Sequence, residues 1–260
     1  MADEDQDKKE ALAEGTLISH LLELRNRLLR AVVAVGIALI PCVVYQNKLF
    51  TFMSLPIRAK LPKGQSLIAI GVMSPFITPL KLAMFVAIFI AMPYILYQIW
   101  AFVAPGLYKH EKRYAIPLLA SSVVLFYLGV AFAYEVVFPV VFGAFATATP
   151  EGVRWEADIT SYLDFSMRMF FAFGLAFEVP IAVVLLVITG MVKLEKLKAS
   201  RSYVVVGVFI VAAAVTPPDA MSMCIMAVPM YLLFEGGLIM SGILYKMRQK
   251  DIARREAESS

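Results

Sequence analysis

Phe173-Gly174-Leu175-Ala176-Phe177-Glu178-Val179-Pro180-Ile181 continues as Ala182-Val183-Val184-Leu185-Leu186, and this run decides the fold. It is apolar over a length that crosses a bilayer, yet Glu178 lies near its middle. A carboxylate at the centre of a spanning helix costs about 2.5–3.5 kcal/mol on insertion scales. Such a group must face protein or water, take up a proton, or serve a function. The run therefore reads as a membrane helix that meets something polar.

The rest of the 260-residue chain agrees. It is 60% hydrophobic, with mean hydropathy +0.77, whereas soluble domains sit near 45–50% apolar. Charge is concentrated between long apolar runs, the pattern of a polytopic helical protein. A membrane β-barrel needs short alternating segments instead. The first residues, Met1 to Glu14, carry six acids against two lysines and lack the basic start of a signal peptide, so they read as a solvated tail. Cys42 and Cys224 both fall in apolar segments and are expected to be packing residues rather than a disulfide.

Six spans are expected, near Leu28–Tyr45, Ile77–Val103, Ala115–Val140, Leu163–Met191, Tyr203–Val215 and Met221–Leu244. This gives an all-α integral membrane protein with an acidic tail over 1–15, a six-helix domain over 16–244 and a charged tail over 245–260. Lysine and arginine set the orientation. With the N-terminus inside, seventeen of them fall in inside segments and five in outside segments, which places both termini in the cytoplasm. Pro41, Pro93, Pro180 and Pro229 lie deep in spans, so kinked helices and a concave bundle are expected. The fifth span is short: 13 residues reach about 20 Å against a hydrocarbon core of about 30 Å. Outside, Asn47–Phe76 should hold a short interfacial helix, and Trp155 and Tyr162 suit the headgroup belt.

Two polar clusters lie on the inside. In His20-Leu21-Leu22-Glu23-Leu24-Arg25-Asn26-Arg27, leucines at helical spacing leave His20, Glu23 and Arg27 on the other face. The simplest reading is a Glu23–Arg27 pair at i,i+4. In Pro105-Gly106-Leu107-Tyr108-Lys109-His110-Glu111-Lys112-Arg113, Glu111 is the lone acid. It either balances charge or recognises a cationic ligand; arginine fits a carboxylate in two parallel bonds that lysine cannot make. Glu178 and Arg168 are ten residues apart, about 15 Å along one helix, too far to pair. Glu178 is either a hydrogen-bond partner for another helix or a docking or proton-sensitive site. The chain has no Walker-type phosphate loop, His/Cys metal spacing or buried Ser/His pair, so an enzyme, a metal site and a cofactor are not expected.

Together these segments resemble the TatC family, the multispanning core of twin-arginine protein translocases. The markers are His20 to Arg25, Ser74-Pro75-Phe76, Trp100 to Glu111, Phe177-Glu178-Val179-Pro180 and Thr216-Pro217-Pro218-Asp219. The resemblance implies six helices in a concave, glove-like bundle with short fifth and sixth helices, in the bacterial inner membrane. It implies binding of twin-arginine signal peptides and export of folded proteins on the proton-motive force, with single-span TatA and TatB partners and further copies of the chain, and no nucleic acid. By motif, Glu23 and Glu111 would meet the signal's arginines, while Arg25, Phe102, Leu107, Tyr108 and Lys109 would shape the same patch. Glu178, Pro56, Asp219 and Glu235 would serve partner contact or assembly. One departure is Met223, where the family pattern leads us to expect a polar residue, often Gln. The alternatives are a proton-coupled transporter of a small solute, with Glu178 as relay, and a structural membrane scaffold. A transporter usually shows an internal repeat, and none is apparent between the two halves.

Overall fold

The computed structural model describes residues 2–58, 67–103, 112–148, 157–216 and 220–259; side chains of 2–18, 20, 103, 112–115 and 248–259 are not described. The helices are α1 (Ala2–Val44), α2 (Gln46–Met53), α3 (Leu55–Arg58), α4 (Ser74–Val103), α5 (Lys112–Phe132), α6 (Phe138–Ala148), α7 (Ile159–Ala176), α8 (Val179–Ile188), α9 (Leu194–Ala199), α10 (Arg201–Val215) and α11 (Ala220–Ser259). Five stretches are long and apolar enough to cross a membrane: Leu21–Val44, Ser74–Phe102, Ile116–Ala148, Ile159–Ile188 and Ala220–Met247. The short Arg201–Val215 helix is the fifth expected span. Among the described residues there is no strand; Ile68 and Asp158 form an isolated bridge. The tails drawn at 1–15 and 245–260 are compositional boundaries, since the helical backbone of α1 and α11 runs through both.

Two spans depart from straight helices, each for a local reason. Between α5 and α6, Ala133–Val137 forms a π turn. Pro139, two residues beyond it, has no amide to give to Glu135, and the wider turn lets Phe138 donate to Ala133 instead. The proline is thereby absorbed, and the span continues to Ala148 rather than stopping near Val140. The fourth span breaks at Phe177 and Glu178, because Pro180 starts a new helix in its first turn. Pro41, Pro93 and Pro229 lie inside helices that remain continuous, so of the four expected kink sites only Pro180 interrupts its span.

The core is aromatic and lies where α4, α5 and α7 meet. Phe126, Phe138 and Phe173 are fully buried, and the Phe138 and Phe170 rings pack with centroids 4.8 Å apart and planes tilted by 50°. Close approach depends on small residues, as in other membrane bundles. A Cβ on Gly237 of α11 would fall 2.8 Å from the backbone of Pro180, which is why α8 and α11 touch along their main chains. Gly190, with φ of +70°, closes α8 in a conformation side chains rarely adopt. Polar clasps join the helices: Tyr127 donates to the Phe89 carbonyl at 2.7 Å, and the Thr78 and Thr160 hydroxyls pair at 3.1 Å.

Three local expectations change. Asn47–Phe76 begins with two short helices, α2 and α3, rather than one. Tyr162 is not a headgroup-belt residue. It lies in α7, 4% exposed, and its hydroxyl donates to the Met53 carbonyl, tying α7 to α2. Trp155 lies outside the described residues. Both cysteines are free; Cys42 is buried against α4, but Cys224 is exposed on α11 and so does not pack as expected.

Candidate functional site

Glu23 stands on α1 where the helix emerges from the apolar stretch. Arg27, one turn on, donates its Nε to Glu23 Oε1 at 2.9 Å and its Nη2 to the same oxygen. Its Nη1 donates to Gln98 Oε1 at 3.3 Å. Gln98 is a buried polar residue on α4, 5% exposed. The i,i+4 pair read from the sequence is therefore present, with a third member that links two helices. The face containing Glu23 and Arg27 is the half-buried one, while Leu21, Leu24 and Leu28 are 63%, 46% and 64% exposed. The amphipathic stripe is thus turned outward, because in a membrane protein the neighbouring helix, and not lipid, satisfies polar groups. Arg25 is exposed beside this cluster, and Phe102 is half-buried near the end of α4. Glu111, Leu107, Tyr108 and Lys109 lie in the α4–α5 connection, outside the described residues.

A second polar point lies at the break in the fourth span. Glu178 is the residue before α8, but its carboxylate does not cap that helix. It reaches α5, where the Ser122 hydroxyl donates to Oε2. Ser122 is 1% exposed. Oε1 is buried with no hydrogen-bond partner among the described residues. The expectation that something polar meets this helix holds, with Ser122 as the partner. The Glu178–Arg168 separation also holds: Arg168 lines a groove with residues of α4 and α10, away from α5.

Glu235 on α11 accepts from Arg201 Nη2 at 2.7 Å and from the Tyr231 hydroxyl at 2.7 Å. This joins the start of α10 to α11. Pro56 is half-buried in α3, between the buried residues Ser54 and Ile57. Asp219 lies outside the described residues. Met223, in place of the expected polar residue, packs half-buried against the aromatic core. Among the described residues no cluster of His, Cys, Asp or Glu is placed to hold a metal ion.

Sequence reasoning missed Gln98, Ser122 and Arg201 as partners. Gln98 carried a signal: it is an amide inside the apolar run Ile95-Leu96-Tyr97-Gln98-Ile99-Trp100. Serine is common in membrane helices, so Ser122 carried none.

The fold and these polar points define a class: a multi-pass helical membrane protein in which the Glu178 and Glu235 carboxylates are held by side chains of neighbouring helices. The sequence model of the Sec-independent protein translocase protein (TatC) family matches residues 19–229. The chain belongs to the TatC family. It is 54% identical over 222 residues to the Sec-independent protein translocase protein TatC of Azotobacter chroococcum, covering 85% of this chain and 87% of that one. It is 50% identical over 225 residues to the TatC protein of Escherichia coli, covering 86% and 87%. The TatC protein of Haemophilus influenzae is 49% identical over 243 residues, covering 94% and 95%. A crystal structure of the twin arginine translocase receptor TatC superimposes with a TM-score of 0.78 at 33% identity, covering 86% of this chain and 98% of that one. The chain is accordingly a multi-pass bacterial inner-membrane component of a Sec-independent protein translocase, and the family is not one of typical enzymes. The small-solute transporter reading is not favoured.

Proposed function

We propose that this chain is the receptor subunit of its translocase, binding the paired arginines of a signal peptide on the cytoplasmic side, where the apolar stretch of α1 begins and α4 ends. The observation that supports this most directly is that Glu23 already holds a guanidinium. Arg27 presents two N–H donors to its carboxylate, the geometry an arginine side chain supplies and a lysine cannot. An incoming arginine can replace or share that contact.

Glu111 is proposed as the second carboxylate, with Arg25, Phe102, Leu107, Tyr108 and Lys109 around it. Its loop leaves α4 five residues after Gln98, the residue beneath Arg27, so chain connectivity supports a common patch. The excess of cationic residues at this end supports N-in, C-in orientation, and an even number of spans keeps both termini on one side. The charged stretches 1–15 and 245–260 are then cytosolic tails. Glu178, Pro56, Asp219 and Glu235 are proposed contacts for single-span TatA and TatB partners and for further copies of the chain. The proton-motive force is the proposed energy source for moving folded cargo.

The test is binding of a fluorescent twin-arginine peptide to the purified protein in lipid nanodiscs. Binding should be lost on replacing both peptide arginines by lysine, and on Glu111→Ala in a protein that still inserts at normal abundance. Crosslinking of the peptide at wild-type strength in that variant would defeat the assignment.

A further inference from the structure

At the end of the bundle opposite Glu23, a groove with a cavity volume of about 580 Å³ runs between α4 and α10 over the face of α7. Its wall is apolar, with Phe85, Phe171, Leu175, Val211 and Val215 among the lining residues. Phe171 is 37% and Leu175 50% exposed, so the groove opens sideways toward lipid. Three charged side chains also line it: Lys81, Asp164 and Arg168.

The three are not balanced. Lys81 Nζ lies 3.0 Å and 3.2 Å from the two oxygens of Asp164, a pair that uses up the only acid lining the groove among the described residues. Arg168, one turn beyond Asp164, is exposed and has no hydrogen bond or ion pair among the described residues. The groove therefore carries one net positive charge. Arg168 lies nine residues into α7, about 13 Å along the axis. A guanidinium at that depth demands an anion or water.

The neighbouring helix supplies a reason for an anion to reach it. α10 has 15 residues, about 22 Å, roughly 8 Å short of a hydrocarbon core of about 30 Å. Local thinning of the bilayer is one way to accommodate so short a span, and α10 ends at Val215, on the groove's side. Thinning there would bring headgroups of that leaflet toward Arg168.

We propose that this groove is a binding site for an anionic phospholipid of the leaflet opposite Glu23. The lipid phosphate accepts from the Arg168 guanidinium, with Lys81 beside it. One acyl chain lies along Phe171, Leu175 and Val211. Guanidinium and phosphate match in paired hydrogen bonds, and the net charge selects anionic over zwitterionic lipid. A lipid fits better than a protein helix, because the opening is lateral and its charge sits near headgroup depth once the bilayer thins. The site is independent of the signal-peptide reading.

The test uses the full chain in nanodiscs of phosphatidylethanolamine and phosphatidylglycerol at 3:1. Native mass spectrometry after release counts the lipids retained. The wild type should keep one phosphatidylglycerol preferentially. Arg168→Gln should lower the phosphatidylglycerol-to-phosphatidylethanolamine ratio about tenfold, the scale of losing a charge-assisted hydrogen bond. Arg168→Lys should fall between them. Arg168 touches no partner, so these variants should elute and melt as the wild type does. Equal lipid ratios in wild type and Arg168→Gln overturn the proposal. So does loss of a co-purifying single-span protein from Arg168→Gln with lipid retention unchanged, since the groove would then hold a helix.

Discussion

Replacing Arg27 by glutamine should tighten signal-peptide binding. Arg27 holds Glu23 through two donors and is tied to Gln98 by a longer third contact of 3.3 Å. The two side chains are 20% and 37% exposed, so solvent still screens the pair. Exposed ion pairs contribute about 0.2–1 kcal/mol, and the contact to Gln98 places this one near the top of that range. An arriving arginine must break or share the pair before it gains Glu23. Removing about 1 kcal/mol of competition corresponds to about a fivefold lower Kd. Glutamine retains part of the side-chain stem and an amide that can still meet Gln98, so packing on α4 changes little. The assay is fluorescence anisotropy of a twin-arginine peptide against the protein in nanodiscs, at low and moderate salt. The gain should shrink as salt rises, because the pair is partly exposed. Unchanged or weaker binding in Arg27→Gln would refute the reasoning and make Arg27 a residue that orients Glu23 rather than one that competes for it.

Glu178→Gln should preserve assembly of the translocase better than Glu178→Leu, since the amide still accepts from Ser122; co-purification of the partner proteins reads this, and equal loss in both variants would point to charge or proton transfer instead. Asp158 caps α7. Burial raises its pKa, but hydrogen bonds from the Ser161 amide and hydroxyl and from the Ile70 and Thr160 amides outweigh that and hold it below the ordinary carboxylate range. Its stabilisation is therefore fully present above the unfolded value, near pH 4, and fades as pH falls through the lower folded value. Protection from hydrogen exchange at the start of α7, taken relative to the intrinsic rate at each pH, should fall only in acid, and Asp158→Ala should remove about 1 kcal/mol at neutral pH. Gly237→Val drives a side chain into the Pro180 backbone and should cost about 1–3 kcal/mol of thermal stability, whereas Gly236→Ala, which meets open space, should leave the melting temperature nearly unchanged.

The spans could be read from the chain because crossing a bilayer sets a length of apolar sequence that composition alone reveals. Errors arose where a neighbour decides. The third span runs past Pro139, with the backbone widened into a π turn just before it. Tyr162 looked interfacial because an aromatic near an outside loop resembles a belt residue; its burial depends on Met53, 109 positions away. Glu23 and Glu178 stood out because a carboxylate is costly next to lipid. Gln98, which receives Arg27, showed only as an amide inside an apolar run, and Ser122, which donates to Glu178, is too ordinary in a membrane helix to stand out. The stripe of leucines on α1 gave the periodicity but no direction, since periodicity fixes a face and not what covers it.

The interruption between Ala176 and Val179 leaves the fourth crossing as two rods meeting at a knuckle. The upper rod is keyed into α5, where Gly129 lies against the Phe173 carbonyl; the lower rod is keyed into α11 through Gly237. A shift of α11 relative to α5 is thus concentrated at one joint instead of spread along a continuous helix. Glu178 lies at that joint, and the hydrogen bond it accepts from Ser122 ties the break in the crossing to α5.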